Sequence, residues 1–157
     1  KAKKSRIKKK VIFLDELWTL IGSSGNRLAA DYVLEIFKVI RGYGGSAIAA
    51  TQDISDFFAL DDGKYGKAII NNSRIKFVLQ LEEDEAFTVQ KHLSLSDEEA
   101  MQVIRNNRGE ALLCANRNKL VIDIKASPYV YDLITTKRSD LEKKRRRKLE
   151  ERKQYDD

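Results

Sequence analysis

The sequence predicts an α/β layer fold: a mostly parallel sheet, helices on its faces, and an antiparallel hairpin at one edge. Three observations carry this reading. Short apolar runs of strand length alternate with segments of helical periodicity along residues 11–109. The first strand pattern, Val11 to Leu14, ends abruptly in two carboxylates. Two β-rich runs near the end, Ala111 to Ala115 and Leu120 to Ile124, are joined by Asn116-Arg117-Asn118, whose asparagines tolerate the positive φ of a tight turn.

In chain order, the continuous run Val11 to Leu14 reads as a strand buried on both faces. Leu28, Tyr32, Ile36 and Ile40 then recur every fourth residue, which predicts one packed face of a helix capped by Asn26 and stopped at Gly42. Ala47 to Ala50 suits a second, tightly packed central strand that ends in Thr51-Gln52-Asp53. Asp61 to Lys67, with two glycines and four charges, reads as a mobile loop before a short helix over Ala68 to Asn71. Ile75 to Leu81 is the third strand and Glu83 to Leu93 a helix. Ser96 and Glu99 have the spacing of a capping box that opens a further helix, with Gly109 as its stop. Tyr129 and Tyr131, beside Pro128, are expected to pack the segment after the hairpin onto the sheet.

Charge divides the chain into three parts. Residues 1–10 hold seven lysines and arginines and no acid, a basic leader, and residues 137–157 hold ten against six acids. The part between is net acidic, so the overall charge of +6 belongs to the ends and is poor evidence for a nucleic-acid face on the folded part. The basic tails are the candidate contact for nucleic acid. Residues 139–155 have three apolar positions, too few for a core stripe, and predict a solvated helix or disorder. No run of about eighteen apolar residues occurs, so no transmembrane segment is expected and a cytoplasmic location is. The lone Cys114 reads as a packed, reduced thiol, and the lone His92 as a solvated residue near a helix end.

The chemistry concentrates at VIFLDELW. Side chains at the carboxyl end of a parallel strand project into the crevice where α/β sheets bind ligands. There Asp15 can hold the water shell of Mg²⁺, and Glu16 can orient and deprotonate a water that attacks a γ-phosphate. An acidic cap after an apolar strand is the structural alternative. Gln52 lies 36 residues after Glu16 with one helix between, and a right-handed crossover sets the two strand ends side by side. Its amide can sense the γ-phosphate, unless it is simply a polar strand end. Arg41, at the end of the intervening helix, suits the helix dipole and equally an arginine finger reaching a neighbouring subunit. Arg74 and Arg108 are further candidates for that duty. No GxxxxGK[ST] occurs, so the backbone cradle and lysine that bind phosphates are expected in residues before Lys1, and residues 1–157 alone are expected not to hydrolyse ATP.

Five segments in order complete the pattern: Asp15-Glu16; Arg41-Gly42 leading to Ala50-Thr51-Gln52; Asn71-Asn72-Ser73 before a strand; Leu93-Ser94-Leu95-Ser96; and Gly109-Glu110 opening Ala111 to Ala115. Across 11–136 this order resembles the C-terminal half of the ATPase domain of type IV secretion conjugation ATPases, the VirB/TraC-type relatives of the FtsK/HerA branch of RecA-like P-loop motors. The resemblance implies a RecA-like three-layer fold and an ATP- and Mg²⁺-dependent motor that forms hexamers or dimers. It further implies a site at the inner face of the cell membrane, with other secretion-channel components as partners. Asp15 and Glu16 then take the Walker B roles, Gln52 that of sensor and Arg41 that of finger. A double-stranded DNA translocase or coupling protein of the same superfamily is one alternative, and a non-catalytic interaction module is another.

Overall fold

The computed structural model describes residues 8–156, with side chains to Arg147. Most of the basic leader, residues 1–7, lies outside the described residues. The chain forms two compact units, one ending at Asp123 and the other beginning at Ile124.

In the first unit, β1 (Lys10–Leu14) pairs in parallel with β2 (Gly45–Ala49), with Leu14 opposite Ala49. The ladder continues past both strands: Ala50 N–H donates to Leu14 O and Leu17 N–H to Ala50 O, each at 2.9 Å. These two bonds hold the carboxyl ends of β1 and β2 together. β1 is half-buried on one face and open on the other. Val11 is 65% and Phe13 62% exposed, against the expectation of burial on both faces, because β1 and β2 form a two-stranded sheet with helices packed on one side. β2 shares that open face, with Ile48 half exposed, so it is not the tightly packed strand expected.

Between them run α1 (Trp18–Ile21) and α2 (Arg27–Val39). Asn26 caps α2, its side chain accepting from Ala29 N–H at 2.8 Å. The buried face of α2 is Ala30, Val33 and Leu34, with Phe37 beside them; Leu28 is 82% and Tyr32 62% exposed. The first half of the every-fourth-residue stripe thus faces outward, while Ile36 is half-buried and Ile40 buried. α2 carries two apolar stripes, and the smaller side chains sit where α1 and α4 approach closely. Gly42 does not stop the helix. A 3-10 turn continues over Ile40–Tyr43, and Gly44, at φ 67°, reverses the chain into β2.

After β2 come α3 (Ile54–Phe57), a 3-10 turn at Leu60–Gly63 and α4 (Lys64–Asn72). The expected loop at 61–67 is therefore mostly ordered, and the helix begins four residues earlier. Its Tyr65 and Ile69 are buried with Leu17, Ile21, Val33 and Phe57, an apolar anchor that outweighs the helix-breaking glycines. Gly66 lets α4 approach α3, since a Cβ there would lie 2.6 Å from Phe57 O. Gly66→Ala should therefore cost about 1–3 kcal/mol despite the better helix propensity of alanine, read as a lower thermal midpoint.

β3 (Ile75–Val78), β4 (Glu110–Ala115) and β5 (Asn118–Asp123) form a separate antiparallel sheet in the order β3-β4-β5. β3 stops three residues short of the expected end. In the hairpin turn Asn116 adopts φ 56°, as its residue type allows. α5 (Glu83–Leu93) and α6 (Asp97–Arg105) cover this sheet. Ser96 and Glu99 form both bonds of the capping box, while α6 ends at Arg105, four residues before Gly109. Val78, Ala86, Val89, Val103, Leu112 and the Cys114 thiol form the second core, and burial pushes that thiol up from its ordinary value. His92 is not a freely solvated residue: it stacks on Phe58 at 3.8 Å, and burial with nearby Lys67 and Lys91 lowers its pKa.

Lys119 on β5 ties the hairpin to α6, donating to Glu99 Oε2 at 2.7 Å and Ser94 O at 2.6 Å. The Lys119 hydrogen bond, more than its charge, holds the Glu99 carboxyl below its ordinary value. A depressed folded value stabilises the fold above the unfolded pKa, and that gain is lost as pH falls through the folded one. Lys119→Met should thus destabilise the protein more at about pH 7 than at about pH 3, measured by denaturant midpoints at the two pH values.

The second unit holds α7 (Pro128–Ile134) and α8 (Arg138–Asp156). α8 is the expected charged helix. Tyr129 and Tyr131 are exposed rather than packed, α7 has no buried residue, and the Tyr131 hydroxyl bonds Asp140 at 3.1 Å.

Candidate functional site

The carboxyl ends of β1 and β2 form one rim. Asp15 leaves β1 exposed, and its Oδ1 accepts the Glu16 N–H at 3.0 Å. Glu16 follows at φ 50°, a left-handed backbone that costs a non-glycine residue on the order of 1–3 kcal/mol. That conformation turns the chain sharply, so Leu17 drops fully into the core while the Glu16 carboxylate stays at the rim. Both carboxylate oxygens are held. Gln52 Nε2 donates to Oε1 at 2.7 Å, and the Trp18 indole N–H donates to Oε2 at 2.8 Å. Gln52 is exposed just past β2, in a turn closed by Asp53, whose side chain caps α3 by accepting from Asp56 N–H at 2.8 Å.

The structure therefore brings Asp15, Glu16 and Gln52 together. Arg41 lies elsewhere: it precedes β2, at the amino end of the strand whose carboxyl end carries Gln52, and its side chain is exposed. Arg74 is exposed just before β3. Arg108 is exposed in the turn before β4, past the carboxyl end of β3, because Val78 pairs with Leu112. Within one chain none of the three arginines is built into the β1–β2 rim. Sequence reasoning missed Trp18. Its signal was a spacing: an indole two residues past a carboxylate, across a tight turn, can reach back to it.

The rim fits a magnesium ion held through its waters. Asp15 offers an exposed carboxylate next to a second one, and the described residues contain no group of three metal-ligating side chains. Mg²⁺ commonly uses one or two carboxylates, keeps several waters and takes the rest of its shell from phosphates.

Beside the rim lies a cavity of about 470 Å³. It is bordered by Ala50 to Gln52 after β2 and by Lys76 to Leu81 along and past β3. Among the described residues, β2 and β3 each pair with a strand on one side only.

A parallel strand pair with carboxylates and an amide on its carboxyl rim, flanked by helices, fits part of a P-loop NTPase. The family described as the TraG P-loop domain matches residues 1–147, and the chain belongs to that family. The structure of VirB4 of Thermoanaerobacter pseudethanolicus aligns with a TM-score of 0.72 and 31% identity, over 79% of this chain. These two findings bear out the kinship with type IV secretion conjugation ATPases and the α/β P-loop fold. The chain spans 33% of the VirB4 chain. The genome packaging NTPase B204 of Sulfolobus turreted icosahedral virus 2, in complex with AMPPCP, aligns with a TM-score of 0.55 and 16% identity. That match covers 74% of this chain and 53% of the other, and shows a shared fold. Among curated proteins, none matches this chain. No described helix is long and apolar enough to cross a membrane.

Proposed function

We propose that this chain is the Walker B half of an ATPase that powers substrate translocation and channel assembly in conjugative type IV secretion. The observation that carries the reading is the 2.7 Å bond between Gln52 and Glu16, which sets an amide and a general-base candidate on one sheet rim. Glu16 orients a water and takes its proton as the water oxygen attacks the γ-phosphorus and ADP leaves. Asp15 holds the water shell of Mg²⁺, which, when bound, neutralises charge on the phosphates. Gln52 senses the γ-phosphate by transferring its amide from Glu16 to a phosphate oxygen. Arg41 reaches a neighbouring subunit as the finger, with Arg74 and Arg108 as further choices. Its distance from the rim of its own chain supports action in trans.

The phosphate-binding loop comes from chain outside residues 1–157. The cavity between the single-sided edges of β2 and β3 supports this, since an extended strand seated there would bring its loop beside Gln52. Assembly as a hexamer or dimer, docking at the inner face of the cell membrane, contact with other channel components and nucleic-acid binding through the basic ends belong to the same proposal.

The test compares ATP turnover by residues 1–157 with turnover by a longer chain that carries the loop. The longer chain should hydrolyse ATP with Mg²⁺ and the shorter should not. Equal turnover by both would overturn the division of the site.

A further inference from the structure

We infer that Trp18 is a positioning residue for Glu16, the fixed half of a two-sided grip whose other half, Gln52, lets go. The inference rests on the proposed role of Glu16 as the base. Its own support is geometric. The Trp18 indole N–H meets Oε2 at 2.8 Å while Gln52 meets Oε1 at 2.7 Å, so the two donors divide the carboxylate between them.

The donors differ in how firmly they are mounted. Trp18 opens α1, directly after Leu17, which is fully buried, and Ile21 at the other end of that turn is fully buried as well. The Trp18 carbonyl accepts the Gly22 N–H at 2.6 Å. An indole has two side-chain torsions and one rigid donor, so on this anchored backbone the N–H has fewer positions open to it than the Gln52 amide has. Gln52 is exposed, outside any helix or strand, and has three torsions. When a phosphate oxygen draws the Gln52 amide away, Oε1 becomes free to accept the proton of water. Oε2 stays on the indole, and the carboxylate keeps its direction. Without the indole, a glutamate on a left-handed backbone turn would be free to rotate as soon as Gln52 left.

Trp18→Phe keeps the ring and removes the donor. In the longer chain that carries the phosphate-binding loop, it should lower kcat about 10- to 100-fold while KM for ATP stays within about twofold, the signature of a misplaced base rather than lost binding. Thermal midpoints of the two proteins should agree closely. Wild-type kcat in Trp18→Phe, with Glu16→Gln inactive, would overturn this inference and leave the base intact. Wild-type kcat in Glu16→Gln would overturn the base itself. A direct measurement covers the case in which Trp18→Phe misfolds. Trp18 is the only tryptophan, so residues 1–157 give one indole N–H resonance. Glu16→Ala should move it upfield and speed its solvent exchange. An unmoved resonance with unchanged exchange would show that the indole does not hold Glu16, and the inference would fall.

Discussion

Glu16→Gln, in a chain that also carries the phosphate-binding loop, is expected to lower ATP turnover about 10²- to 10⁴-fold, the usual contribution of a general base. The effect follows from how little else the change disturbs. Glutamine has the same shape, and its carbonyl can still accept the Trp18 indole N–H that Glu16 accepts at 2.8 Å. Proton acceptance is lost. Each tenfold in rate corresponds to about 1.4 kcal/mol, so the barrier should rise by about 3–6 kcal/mol while nucleotide binding changes little. Steady-state turnover and binding of a fluorescent nucleotide, measured on the same preparation, separate the two. Turnover within about twofold of wild type would remove Glu16 from the chemistry.

The second large effect is on stability. Leu17→Ala should cost about 3 kcal/mol and lower the thermal midpoint by about 6–12 °C, in the range seen for leucine truncation in packed cores of domains this size. Leu17 has 0% exposure and packs with Ile21, Val33 and Phe57, while its N–H closes the last bond between the β1 and β2 ends. The residue therefore fixes the turn that presents Glu16 on one side and Trp18 on the other. Thermal unfolding followed by circular dichroism checks the figure. A shift under about 2 °C would mean that this turn is not anchored in the core.

Local rules were legible wherever the determining atoms lie within a few residues. The asparagine cap of α2 and both bonds of the Ser96–Glu99 box follow from side chains that satisfy nearby backbone groups, and the Asn116 turn from a residue type that tolerates positive φ. The approach of Gln52 to Glu16 was legible for a different reason. Right-handed crossover fixes which strand ends are neighbours, whatever the helix between them looks like.

What failed depends on partners distant in sequence. α2 has two apolar stripes, and the pattern favoured the one that begins at Leu28 and Tyr32 because it recurs every fourth residue. The core took Ala30, Val33 and Leu34, which fit the close approach of α1 and α4. Burial of β1 on both faces was expected from an unbroken apolar run, yet in these residues one face of the β1–β2 pair stays open. The early start of α4 depends on Tyr65 and Ile69 finding the first core, which no window of residues 61–67 contains. Trp18 escaped because its donor matters only once Glu16 adopts a left-handed backbone, and glutamate does so rarely.

Asp15, Glu16 and Gln52 are proposed to form the nucleotide-facing rim of an ATPase. A structure of the longer chain with Mg²⁺ and a non-hydrolysable ATP analogue tests it most directly. The Gln52 amide should lie on a γ-phosphate oxygen and off Glu16, with Asp15 facing the waters of the metal and the Trp18 indole still on Glu16. A nucleotide bound with its phosphates away from this rim, and the Gln52–Glu16 bond intact, would contradict it.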